Sequence, residues 1–331
     1  MKKIQMVDLQ GQYQKIKPEI DRALQEVLTE ANFINGHQVN QFAEELSAYL
    51  QVPYVIPCAN GTDALQIALM ALGLQAGDEV ITPAHTYIAT VEVVALLGLK
   101  PVLCEVDPQT FTLDVTKLEA LITPQTKAIV PVHLFGHSAD IEKILELAGR
   151  YGIPVIEDNA QAIGGRYRFG NGRWQSNGTM GLIGTTSFFP SKNLGAYGDG
   201  GALFTNDEAL AQQLHRIANH GQSKKYIHDC VGCNSRLDTM QAAILRCKLK
   251  YLDAYCDARR QVADAYDEAF KNLPGIRRPY RAPYTHHVFH QYTLIIEQAN
   301  RDEIKRRLQE QGIPSMIYYP KPIYRQQMYI D

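Results

Sequence analysis

Lys192 stands in the run Thr186-Ser-Phe-Phe-Pro-Ser-Lys-Asn-Leu-Gly195, and Asp158 closes the largely apolar stretch Val155-Ile-Glu-Asp158 upstream of it. A lysine amine behind an aromatic-proline turn can form a Schiff base with an aldehyde, and an apolar setting lowers its pKa toward nucleophilic use. A carboxylate at the mouth of a parallel sheet can hold a protonated pyridine nitrogen, which then draws electrons from an amino-acid Cα. An aldehyde and a pyridine nitrogen on one ligand describe pyridoxal 5'-phosphate. Taken alone, Lys192 would be read as a surface charge and Asp158 as a helix cap. The Phe-Phe-Pro before the lysine and the glycine-rich Gly195-Ala-Tyr-Gly-Asp-Gly-Gly201 after it favour the chemical reading.

The ligand's phosphate needs a local anion site. Cys58-Ala-Asn-Gly-Thr-Asp63 follows a short apolar run and opens a helical one, so Gly61 permits a tight turn while backbone amides and the Thr62 hydroxyl face an anion at the helix N-terminus. Ser187 could add a hydroxyl from the far side. Gln161 is spaced to reach the ring's phenolic oxygen, and Tyr87 could lie against the ring face, although core packing explains a lone tyrosine equally well. His85 and His133 read as pocket lining. No His, Cys and carboxylate set has metal-site spacing, so no metal is expected.

These groups must be positioned by a sheet. From Val52 onward short apolar runs alternate with helical segments, which predicts strands at 54–57, 79–82, 101–106, 127–132, 153–157, 183–188 and 200–204. Such alternation implies a mostly parallel seven-stranded α/β sheet covered by helices, with its ligand beyond the carboxyl ends of the strands. Helices are predicted at 18–30 and 39–50, at 63–72, 87–97, 139–150 and 207–219 between strands, and as one long tract over 234–269. After Pro274 the pattern changes to a strand at 290–296, a charged helix at 301–311 and a further strand at 315–319. That pattern suggests a large domain over residues 1–250 and a smaller α+β domain over 251–331. The chain stops at Asp331 soon after a proline-rich bend, with no closing element, so truncation is expected.

At 331 residues, with 45% hydrophobic and 21% charged residues, the chain can bury a substantial core and is not disordered. Its net charge of -2 gives no global field for nucleic acid or an anionic membrane. The opening Met1-Lys-Lys-Ile lacks the apolar run of a signal peptide, and six scattered cysteines suit a reducing cytoplasm. Cys230-Val-Gly-Cys233 has redox spacing but lacks a second pair, and reads as chance. No apolar stretch reaches the length of a membrane span.

Ala59 to Leu65, Gly77 to Pro83, Glu157 to Ala162, Ser187 to Lys192, Gly198 to Gly201, Asn219 to Gly221 and Gly232 to Ala243 occur in an order that resembles the DegT/DnrJ/EryC1/StrS family of nucleotide-sugar aminotransferases, which have fold type I. That resemblance implies that Lys192 is the Schiff-base amine, that Asp158 binds the pyridine nitrogen and that Gln161 lies near the ring hydroxyl. It assigns Gly61, Thr62 and Ser187 to the phosphate, joined by Asn234 from a neighbouring subunit, and hence implies a homodimer with shared sites. Pyridoxamine 5'-phosphate would be the alternate form of the cofactor, and L-glutamate the amino donor. The segments 220–229 and 231–236 look most like the branch acting on UDP-2-acetamido-2-deoxy-3-oxo-D-glucuronate in surface-polysaccharide synthesis. Lys224, Lys225, Tyr226, His228 and Arg236 are then candidate contacts for the UDP-sugar, together with Tyr318 and Tyr324. Asn159, His137 and Tyr324 depart from the residues common in relatives, and are expected to border the sugar pocket.

Overall fold

The computed structural model describes residues 4–330; the opening Met1 to Lys3 and the final Asp331 lie outside the described residues. Seven central strands follow the predicted ones closely: β1 Tyr54–Cys58, β2 Glu79–Pro83, β3 Lys100–Cys104, β4 Thr126–Ile129, β5 Ile156–Asp158, β6 Ile183–Ser187 and β7 Gly201–Thr205. Their order is β3-β2-β4 continued by β5-β6-β7-β1. Parallel bridges Ile129–Val155 and Val132–Asp158 join the two parts at β4 and β5. Only β7 runs against its neighbours, pairing antiparallel with both β6 and β1. The mostly parallel seven-stranded sheet is therefore present. The carboxyl ends of β1, β2, β4, β5 and β6 share one edge.

The covering helices owe their places to their apolar faces. The helix Gly61–Ala71 starts at an Asn60 cap, whose Oδ1 accepts from the Asp63 amide at 2.8 Å. It buries Ala64, Leu65, Ile67, Ala68 and Leu69 against Ile56, Val80, Ile156 and Leu203 of the sheet. Ile141–Tyr151 closes with Gly152 at φ 65°, the left-handed cap expected where glycine follows a helix. The first helix is longer than predicted, covering Leu9–Glu30 around a break at Ile16. Pro18 begins the segment beyond the break, where a missing amide costs nothing, which is why the sequence suggests a start there.

Three other expectations change. The long tract is two helices, Thr239–Leu249 and Leu252–Phe270, parted at Lys250 and Tyr251. The strand predicted at 290–296 shrinks to Ile295–Ile296 paired with Ile276–Arg277, because Val288 and Gln291 spend their amides on the Gly136 and Phe135 carbonyls. No strand forms over 315–319. There Tyr318 and Tyr319 pack as irregular chain on Val132, Leu134 and Phe135.

Candidate active site

Asp158 is bonded to the segment after β4 on one side and paired with Thr185 of β6 on the other. Its amide donates to Pro131 O at 2.9 Å and its carbonyl accepts from His133 N at 3.0 Å, fixing it at the end of β5 between β4 and β6. The carboxylate is buried, and its Oδ2 accepts from the Thr90 hydroxyl at 2.8 Å. Oδ1 accepts from the Ala160 amide at 3.1 Å, so the local turn that a cap reading anticipated is also made. Thr90 was missed from sequence. The available signal is its i, i+4 spacing from Thr86 just beyond β2, since the two hydroxyls lie 3.5 Å apart.

Lys192 sits in a loop that closes on itself beyond β6. Phe188 N donates to Gly200 O and Ala196 N to Phe188 O, both at 2.7 Å, while Lys192 N donates to Phe189 O at 2.8 Å. Phe188 is fully buried, edge-on to Phe42, and anchors the loop's base. Gly195 approaches Pro190 so closely that a Cβ would stand 2.3 Å from the Pro190 carbonyl oxygen. Burial pushes the Lys192 amine down to about 8, against the opposing pull of the Asp158 carboxylate. A minor but useful share of the amine is thus neutral, and nucleophilic, near physiological pH, where an ordinary lysine is almost wholly protonated.

The turn before the helix Gly61–Ala71 forms a cradle of backbone. A Cβ on Gly61 would lie 2.7 Å from Ser187 Cβ, and one on Gly201 would lie 2.4 Å from Asn60 O. Glycine is required at both places. Thr62 follows at the first turn, so Gly61, Thr62 and Ser187 are brought together at a helix N-terminus of eleven residues. Gln161 is buried; its Oε1 accepts from Phe135 N at 2.7 Å and its Nε2 donates to the Tyr319 hydroxyl at 3.0 Å. Tyr319 in turn faces Tyr87 and His85, with ring centroids 6.1 and 5.8 Å away. Tyr87 is exposed rather than core, and burial pushes the His85 imidazole below its ordinary pKa.

Other expected residues lie elsewhere. His133 does not line a pocket: it is buried, with Nδ1 accepting from Ala139 N at 3.0 Å and Nε2 facing Glu157 at 2.8 Å. Glu157 also accepts from the amides of Gly178, Met180 and Gly181, a structural strut behind Asp158. A histidine at a strand end looks the same in sequence for either role. His137 and Asn159 are likewise buried and bonded to backbone, at Ser138 O and Asn177 O. Tyr324 is exposed in a turn whose neighbour Ile323 donates to Ala84 O at 3.0 Å, beside His85. Lys224, Tyr226 and His228 belong to an exposed hairpin, Gln222–Lys224 with Ile227–His228, and Lys225 lies over the Tyr226 ring at 5.4 Å. Arg236 is half-buried and Asn234 exposed on the adjoining strand segment, where Asn234 bridges Asn219. No hydrogen bond among the described residues links this hairpin to Lys192 or Asp158 of the same chain.

A desolvated amine, a buried carboxylate and a glycine cradle for an anion are groups whose chemistry fits pyridoxal phosphate at its aldehyde, ring nitrogen and phosphate. Comparison with known proteins agrees. The chain is 47% identical over 328 residues to UDP-2-acetamido-2-deoxy-3-oxo-D-glucuronate aminotransferase of Pseudomonas aeruginosa, covering 99% of this chain and 89% of that one. It superposes on a DegT DnrJ EryC1 StrS aminotransferase from Brucella abortus with TM-score 0.94 at 42% identity, covering 99% of this chain and 87% of the other. The structure of ntda from Bacillus subtilis, with bound cofactor PMP, gives TM-score 0.89 at 35% identity over 99% and 74% of the two chains. Residues 14–331 match the family model, and the chain belongs to the DegT/DnrJ/EryC1/StrS aminotransferase family.

Proposed function

We propose that this chain is a pyridoxal-phosphate-dependent aminotransferase that moves an amino group from L-glutamate to the C3 ketone of UDP-2-acetamido-2-deoxy-3-oxo-D-glucuronate. The carrying observation is the Lys192 amine, desolvated by burial in a closed loop and facing the buried Asp158 carboxylate. The substrate rests on the name of the Pseudomonas aeruginosa relative.

Gly61, Thr62 and Ser187 would hold the phosphate through the helix N-terminus, Asp158 the ring nitrogen, Gln161 the ring hydroxyl and Lys192 the aldehyde carbon. When bound, the cofactor supplies the electron sink for charge at the amino-acid Cα. With the cofactor held there, the Lys192 amine would be the base that takes the proton from the amino-acid Cα and the acid that passes it to the carbon that carried the aldehyde. Thr90 and the Ala160 amide keep Asp158 oriented through this exchange.

The active unit in this reading is a homodimer, with Asn234 and the 222–228 hairpin reaching the neighbouring site. Its support is that Tyr226 on the hairpin and Val231 three residues before Asn234 are 81% and 83% exposed, more apolar surface than a solvated loop needs. Lys224, Lys225, His228 and Arg236 would then meet the diphosphate and carboxylate, with arginine suited to a bidentate pair, and Tyr318 and Tyr324 would border the sugar. We keep the division into a large domain over 1–250 and a smaller one over 251–331, with the helix break at Lys250 and Tyr251 as its support. No helix of the described residues is long and apolar enough to cross a membrane, and we place the enzyme in the cytoplasm.

The test is a half-reaction screen. Loaded protein should show an absorbance band at about 400–430 nm that bleaches with glutamate and returns with the 3-oxo UDP sugar. Return only with 4-oxo dTDP or UDP sugars would overturn the substrate while leaving the cofactor reading intact. A Lys192→Ala protein with unchanged turnover would overturn both.

A further inference from the structure

Lys248 is buried where an apolar residue would ordinarily sit. It lies on the helix Thr239–Leu249, is 1% exposed, and belongs to none of the ion pairs among the described residues. Its Nζ donates to the Gly195 carbonyl at 2.5 Å and stands 4.8 Å from the centroid of the Tyr197 ring. Burial pushes it down to about 8. A buried ammonium without a counter-ion is expensive, and a hydrophobic side chain of similar volume would cost less. What it touches is therefore informative. Gly195 and Tyr197 form the downstream limb of the loop that presents Lys192.

The rest of the loop is tied in other ways. Gln241, two turns earlier on the same helix, accepts from the Tyr197 amide at 2.8 Å. Asn193 donates to Val288 O at 3.3 Å. The upstream limb is bonded to β7 through Phe188 and Gly200. The Gly195 carbonyl is thus the point where the limb turns back, and Lys248 holds it.

We propose that Lys248 is a positioning residue for Lys192, clamping the Gly195 carbonyl and the Tyr197 ring so that the reacting amine keeps one direction and stays desolvated. This rests on the reading of Lys192 as the reacting amine, but its test needs no turnover. In cofactor-free protein carrying 13C-methylated lysines, the titration midpoint of Lys192 is followed by NMR. Lys248→Met should raise that midpoint by about one unit or more, a tenfold change in the neutral fraction, because the released loop admits water to the amine. In loaded protein kcat should fall about tenfold with KM for glutamate unchanged.

Lys248→Gln, which keeps a donor for Gly195, should recover part of both effects, and it supplies the readout where the methionine variant does not fold. Leu147→Ala, in a separate part of the core, should lower the melting temperature without moving the midpoint. An unmoved midpoint in Lys248→Met, or an equal movement in Leu147→Ala, would overturn the proposal. Loss of aminotransferase turnover in the parent protein would instead strike the functional reading and leave the midpoint result standing.

Discussion

Replacing Gly61 by alanine adds one methyl group where the helix N-terminus meets Ser187 in the anion cradle. The new Cβ would stand 2.7 Å from Ser187 Cβ and 3.3 Å from both Ser187 Cα and Oγ. Carbon atoms sit comfortably at about 3.5–4.0 Å, so the gap must open by roughly 1 Å. Ser187 cannot retreat cheaply. It is paired with Gly201 across β6 and β7, and Gly201 itself abuts Asn60 at the other side of the turn. Overpacking of this kind costs about 1–3 kcal/mol. Cofactor-free protein relieves part of that cost by letting the turn drift, and binding must then restore it. Affinity for pyridoxal phosphate should weaken by about tenfold to a hundredfold, at roughly 1.4 kcal/mol per factor of ten. The assay is a spectroscopic titration of cofactor into cofactor-free protein, with melting curves in parallel. Ser187→Gly removes the opposing Cβ, so the alanine should cost less in that background, with a coupling of about 0.5–3 kcal/mol. Wild-type affinity in Gly61→Ala, or an equal cost in both backgrounds, would show that the close approach does not shape the phosphate site.

Thr90→Val removes the donor to Asp158 Oδ2 while keeping shape; hydrogen bonds to charged groups contribute about 1.5–3 kcal/mol, so cofactor affinity should drop at least about tenfold with the far-ultraviolet circular dichroism spectrum unchanged. Glu157→Gln replaces an acceptor of three amides and a histidine by a group that must turn a donor toward some of them, and urea unfolding should show a loss of about 3 kcal/mol. The Lys192 pKa, lowered by burial to about 8 from an ordinary value of 10.5, means that between those values the unfolded chain binds the extra proton. Wild type should therefore gain stability relative to Lys192→Met as pH rises through that window, read as the difference between their urea midpoints at each pH. A difference moving the other way would contradict a desolvated amine. For the shared site, mixing Lys192→Ala with Asn234→Ala chains should restore about one quarter of wild-type activity, since half the random dimers carry one intact site of two; no recovery in exchanged dimers would place Asn234 outside the partner's site.

What could be read in advance divides by distance along the chain. The seven strands follow from short apolar runs punctuated by turns, a signal local enough to survive in a single sequence. Lys192, Asp158, Gly61 and Gln161 sit in short motifs, and the buried places of Asp158 and Gln161 and the tight turn at Gly61 follow from signals just as local. What could not be read depends on residues far apart meeting: Thr90 with Asp158, Gln161 with Tyr319, Lys248 with Gly195, each a contact that no local pattern encodes. The misread elements fail for a related reason. The segments 315–319 and 290–296 read as strands, yet Tyr318 and Tyr319 pack half-buried on the cluster around Phe135 and Gln291 bonds the Phe135 carbonyl, so only Ile295–Ile296 keeps a ladder. Pro18 marks a helix start in any local reading, and only tertiary packing of Ile16 and Ile20 against Ile244 continues the helix backward across the break. His133 shows the limit most plainly. The same residue type at the same strand end serves as pocket wall or as strut, and the choice is made by Ala139 and Glu157, which hold its two nitrogens and leave none for a ligand.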